Sequence, residues 1–152
     1  MRTKLVGLVA AFAVLAAGVP MIAHHSFAAE FDAQKGVKLT GAVTKIEWLN
    51  PHTYFYIDVS EICNGTPAAQ GQQTQWKCAP TDKSKVPNWG LEMGSPNGLM
   101  RQGWTRNSMK VGEIVTVEGS AAKDGSNIGN ARSVVLAGGQ RLFAWSSQTT
   151  NP

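Results

Sequence analysis

The sequence predicts an all-β fold: a small Greek-key barrel of about five strands with one short helix. Three observations carry this. Apolar residues alternate with period two in several short segments. The alternation slips by one residue within the first of them. One helical signature stands between the third and fourth.

In "GVKLTGAVTKIEW", Val37, Leu39, Gly41 and Val43 share one face, and the apolar phase then shifts to Ile46 and Trp48. A slip of one residue in a strand is a β-bulge, which bends it. A long bulged strand with a glycine inside suits a closed barrel. "LNPH", residues 49 to 52, is a turn, because Asn-Pro initiates turns. In "TYFYIDVSEI" Phe55, Ile57 and Val59 alternate with Tyr54, Tyr56 and Asp58, giving a second strand. Residues 64 to 87 form a polar insert. "NWGLEM" is a third strand, with Trp89, Leu91 and Met93 on one face.

"SPNGLMRQGW" reads as the helix. Ser95 caps it, Pro96 suits its first position, Gly103 suits its end, and Leu99 and Met100 would face the core. "MKVGE" is a turn, "IVTVEGSAA" a fourth strand, "KDGSNIGN" a glycine-rich loop and "ARSVVLAGG" a fifth strand. A helix between the third and fourth strands is the arrangement of an OB-like barrel, whereas a small sandwich would not need it. The expected organisation is a signal peptide over residues 1–23, an extended or loosely helical N-terminal arm over 24–36, the barrel over 37–143 and a flexible tail over 144–152.

Arg2 and Lys4 precede an uncharged apolar run from Leu5 to Ala17. That run is too short to cross a bilayer core, which needs about 20 residues. With its basic start and small residues downstream it reads as a secretory signal peptide rather than an uncleaved anchor. Cleavage after Ala23 starts the mature chain at His24. Cleavage after Ala28 matches the small-x-small pattern better, but lies far from the apolar run and would discard two histidines. The expected location is the periplasm, and the membrane matters only for export. Of 14 Lys plus Arg against 10 Asp plus Glu, Arg2 and Lys4 leave with the tag, so 12 face 10 and the mature charge is +2. That is too little to indicate nucleic acid, which calls for a clustered basic surface.

Cys63 and Cys78 flank part of the polar insert, and in an exported protein the expectation is a disulfide. Two thiolates binding a metal is the alternative, without CxxC spacing to support it.

The stretches "AHHSFAAEFD", "GAVTKIEWLNPHTYFYIDV", "EMGSPNGLMRQGW" and "VGEIVTVEGSAAKDGSNIGNARSVVL" resemble a family of small exported bacterial proteins of unknown function. The resemblance covers most of residues 23 to 136. It implies an exported single domain of OB-like or related β fold and brings no activity with it. The Cys63–Cys78 insert is not part of the resemblance.

The chain has three histidines, His24, His25 and His52. After cleavage at Ala23, His24 carries a free α-amine beside its imidazole, and the pair can chelate one metal ion. Nitrogen ligands in a tetragonal arrangement suit Cu(II), so copper is the candidate cofactor. His52 lies in the turn between the first two strands, which borders the binding end of an OB-fold. If the arm folds back there, the three imidazoles converge, with Glu30, Asp32 and Glu47 as candidate extra ligands or acceptors for a histidine N–H. The bland reading is a flexible tail and a turn histidine. A second constellation is aromatic. Trp48, Asn50, Tyr54 and Tyr56 are candidate ligand-binding residues on a barrel face, with Tyr54 and Tyr56 the better candidates for exposure, while Trp89 and Trp104 read as core. Ser26 beside His25 has no orienting acid, and no phosphate-binding loop precedes a helix. The expectation is a non-enzymatic binding protein. Its alternative is a module that binds a peptide, glycan, small molecule or protein partner through its aromatic face.

Overall fold

The computed structural model describes residues 27–66 and 74–144. Its elements in chain order are α1 (Phe27–Glu30), β1 (Phe31–Glu47), β2 (Tyr54–Gly65), β3 (Lys77–Pro80), β4 (Asn88–Glu92), α2 (Pro96–Arg101), β5 (Ile114–Ala122), β6 (Ile128–Val135) and β7 (Arg141–Phe143). The signal segment, His24, His25 and the tail beyond Ala144 lie outside the described residues.

Five strands close a ring. β1 pairs antiparallel with β2 on one side and β5 on the other. β2 pairs with β4, β5 pairs with β6, and β4 meets β6 in parallel to shut the barrel. With α2 between the third and fourth strands of the ring, this is the expected all-β OB-like barrel. The bend read from the Val43-to-Ile46 slip is present as a register shift between Val43 and Lys45. A second shift lies between Thr40 and Gly41. There the sheet turns so sharply that a Cβ on Gly41 would run into the Asp58 carbonyl and lie 2.9 Å from the Val59 Cα. Only glycine fits so close a backbone crossing.

The inner face follows the alternation. Leu39, Phe55, Ile57, Val59 and Met93 have no exposed surface, and Trp89, Leu91, Val115, Val117 and Val134 are buried with them. Full burial of each large apolar side chain favours folding by about 1.5–3 kcal/mol. α2 plugs one end. The Ser95 hydroxyl accepts from the Gly98 N–H at 3.3 Å, Pro96 opens the helix, and Gly103 follows its end at φ +92°. Leu99 is fully buried, but Met100 is 51% exposed. Adjacent helical positions lie about 100° apart, and this turn faces Leu99 inward and Met100 outward. Trp104 is 2% exposed and donates its indole N–H to the Phe143 carbonyl at 2.8 Å. Trp89 and Trp104 are therefore core, as expected.

Several boundaries differ from the sequence pattern, among them the end of β2 at Gly65, inside the polar insert. β1 starts at Phe31, inside the stretch read as an arm. β6 starts at Ile128, inside the stretch read as a loop, and ends at Val135. β3 and β7 add short edges to β2 and β6. Cys63 and Cys78 stand directly opposite each other on β2 and β3 and are joined as a disulfide. Among the described residues no helix is long and apolar enough to cross a membrane.

Candidate functional site

His52 ends the β1–β2 turn, which has a cis Asn50–Pro51 peptide. The next residue is tied down on both sides: Thr53 N–H donates to the Gly94 carbonyl at 3.1 Å, and Met93 N–H donates to the Thr53 carbonyl at 2.8 Å. These bonds lay the turn against the end of β4 and bring His52 to Glu92. His52 Nδ1 lies 2.9 Å from Glu92 Oε1, with side-chain exposures of 26% and 7%. The other carboxylate oxygen, Oε2, accepts from the Tyr54 hydroxyl at 2.7 Å. Tyr54 and Glu92 are cross-strand partners, so the ladder itself aligns phenol and carboxylate.

Glu92 is thus held between two donors in a nearly dry place. A carboxylate only accepts, so a neutral imidazole in this position presents its Nδ1–H to Glu92 and its Nε2 lone pair to another partner. Carboxylate, imidazole and an open nitrogen are the arrangement by which metal-ligating histidines are oriented. Burial, then the Glu92 hydrogen bond and charge, and then the charge of Glu30 push the Tyr54 phenol well above its ordinary value. The last contribution puts the start of the described chain within electrostatic range of the site.

Of the acids named from sequence as acceptors, none is the partner of His52. Asp32 accepts from the Gln34 backbone N–H at 2.9 Å and lies 4.0 Å from Lys35. Glu47 Oε1 meets Lys45 Nζ at 2.6 Å and its Oε2 accepts from the Tyr56 hydroxyl at 3.0 Å. Those two contacts hold the Glu47 carboxyl below its ordinary value. Glu30 carries a contact of its own and acts on Tyr54 through its charge. Glu92 was missed because it alternates with Leu91 and Met93 and reads as a solvent-facing position. Only its cross-strand pairing with Tyr54 sets it apart, and that register is not written in the sequence.

The aromatic group divides. Tyr54 belongs with His52 and Glu92. Tyr56 forms a separate cluster, where the Glu47 hydrogen bond raises its phenol and Lys45 lies 5.2 Å from the centre of its ring. Trp48 is half-buried and lines a narrow crevice with Ile46, Met93, Trp104 and Met109. Asn50 is exposed. Glu61 Oε2 approaches Cys63 Sγ at 3.9 Å, but the two sulfurs of that group are bonded to each other, so no thiolate is available to a metal. His24 and His25 lie outside the described residues, and their convergence with His52 is not described.

A family model described as a family of unknown function (DUF6152) matches residues 11–84 and 77–131. No curated protein and no solved structure matches the chain.

Proposed function

The chain belongs to DUF6152, a family of unknown function, and we propose that it is an exported periplasmic binding protein, not an enzyme, that holds a copper ion at His52. The observation that carries this is the 2.9 Å contact between His52 Nδ1 and the buried Glu92, with Nε2 of the half-buried ring having no partner among the described residues. The buried carboxylate fixes the orientation of the ring, as a supporting acceptor does for a metal-ligating histidine. The remaining nitrogens would come from the α-amine and imidazole of His24 and from His25, once the signal peptide is removed after Ala23. Glu30, which acts on Tyr54 through its charge, is only five residues beyond His25, which supports delivery of those nitrogens to this end of the barrel. The basic and apolar start of the chain and the Cys63–Cys78 disulfide support export to an oxidising compartment.

Binding of a peptide or glycan through the aromatic face has less support, since both phenols already donate to carboxylates.

The test is a Cu(II) titration of correctly processed protein beside a form with one Met before His24 and beside His52→Ala. Both changes should weaken binding. Equal affinity in all three would refute a site built from the free terminus and His52. Ligand nitrogens must shed protons to bind, so affinity should fall as the pH drops from about 7 to 5.

A further inference from the structure

Alternation puts Tyr54, Glu92, Asn130 and Ser120 on the outer surface of the barrel. Phe55, Leu91, Met93, Ala131 and Ala121, their neighbours in the chain, face or pack on the core. The four are also successive cross-strand partners, Tyr54 with Glu92, Glu92 with Asn130 and Asn130 with Ser120, so they form one row. An outer row should be wet. Instead Glu92 is 5% exposed, Asn130 2% and Ser120 1%. Asn130 Nδ2 and Ser120 Oγ have no hydrogen-bond partner among the described residues. A buried donor without an acceptor is costly, and native proteins rarely leave one so.

The described chain starts beside this row. Lys123 N–H donates to the Glu30 carbonyl at 2.9 Å, and Lys123 Nζ donates to the Ala28 carbonyl. Phe31 pairs with Ala122, and both are buried outside the barrel's core cluster. The Phe27 ring lies 5.6 Å from that of Phe31. Ala29, Glu30 and Phe31 share a shallow depression with Ile128, two residues from Asn130 on the same strand. The arm is therefore a second layer, clamped by Phe27 and Phe31 where the row of unpaired groups begins.

We propose that residues 24–26 dock in extended form along this outer row, their backbone carbonyls accepting from Asn130 Nδ2 and the Ser26 hydroxyl or backbone pairing with Ser120 Oγ. Three extended residues reach about 10 Å, roughly two strand spacings, enough to run from Asn130 to Glu92 and His52. Docking would carry His24 and His25 to the open nitrogen of His52. That consequence rests on the copper reading, whereas the docking needs no metal.

The experiment uses the metal-free mature chain starting at His24, with its native disulfide intact. Ser26→Cys is combined with Asn130→Cys, with Ser120→Cys, and with Ile114→Cys at the far end of β5 as control. Bridges are mapped by mass after mild oxidation. The first two pairs should bridge and the control should not. In the unsubstituted chain, the amides of residues 25–27 should exchange at least about tenfold more slowly than the same amides in the denatured chain. The proposal is overturned if folded double variants form neither bridge, if the control bridges as readily, or if the amides of residues 25–27 exchange as fast as in the denatured chain. Bridging without copper affinity would keep the docking and remove the copper reading. Copper affinity without bridging would do the reverse.

Discussion

Glu92 Oε1 sits 2.9 Å from His52 Nδ1, and the acid is the more deeply buried of the two. The contact therefore works in one direction, with the fixed carboxylate aiming the imidazole. Glu92→Gln leaves one acceptor for two donors. Its amide can also donate to Nδ1, moving the imidazole proton to Nε2 and closing the nitrogen that would bind metal. Copper affinity should fall about 10–100-fold, the usual consequence of losing such a supporting group, with the circular dichroism spectrum retained. Unchanged affinity in a folded variant would show that Glu92 does not orient a ligand.

Both tyrosines of the chain are held protonated. Tyr54 is raised chiefly by burial and then by Glu92, and Tyr56 chiefly by its bond to Glu47. A raised phenol contributes stability that is complete below the unfolded value of about 10. That contribution is lost as pH rises through the folded-state values. In an alkaline titration followed by ultraviolet absorbance, tyrosinate should appear late and together with loss of the near-ultraviolet circular dichroism. Normal titration of both tyrosines in folded protein would contradict the network. Tyr54→Phe leaves Glu92 Oε2 without its donor and should cost about 1–3 kcal/mol in denaturant unfolding.

The disulfide spans 15 residues at the end of β2 away from His52. A loop of that size is worth about 3 kcal/mol in the chain-entropy model. Cys63→Ser should lower stability by about that much and leave copper affinity unchanged, since neither cysteine touches the His52–Glu92–Tyr54 group. Free-thiol labelling of unfolded, unreduced protein should detect no thiols. Two labelled cysteines would contradict the bridge.

How much of this was legible follows from where each signal resides. The barrel strands and the bulge of β1 were readable because burial on one face forces period two, and a bulge breaks it visibly between Val43 and Ile46. The cap of α2 was readable because Ser95 and Pro96 act locally. β3 was not, because Lys77–Pro80 has no buried face; it owes its place to its pairing with β2, including the bridged Cys63 and Cys78. The first residues of β6 were hidden because Gly129 and Asn130 look like loop, yet Gly129 packs against Leu91 and Asn130 faces Glu92. His52 was identified from its rarity and its turn. Its true partner was not, because Glu92 becomes special only through a register between strands that the sequence does not print.

The most direct test of the central claim is pulsed electron paramagnetic resonance of the copper-loaded, correctly processed protein, which detects the remote nitrogen of each imidazole bound to Cu(II). The spectrum should carry the modulation of the His52 ring, with part of it lost in His52→Ala and altered in Glu92→Gln as the proton on the remote nitrogen changes partner. Spectra identical among the three proteins would contradict a copper site at His52.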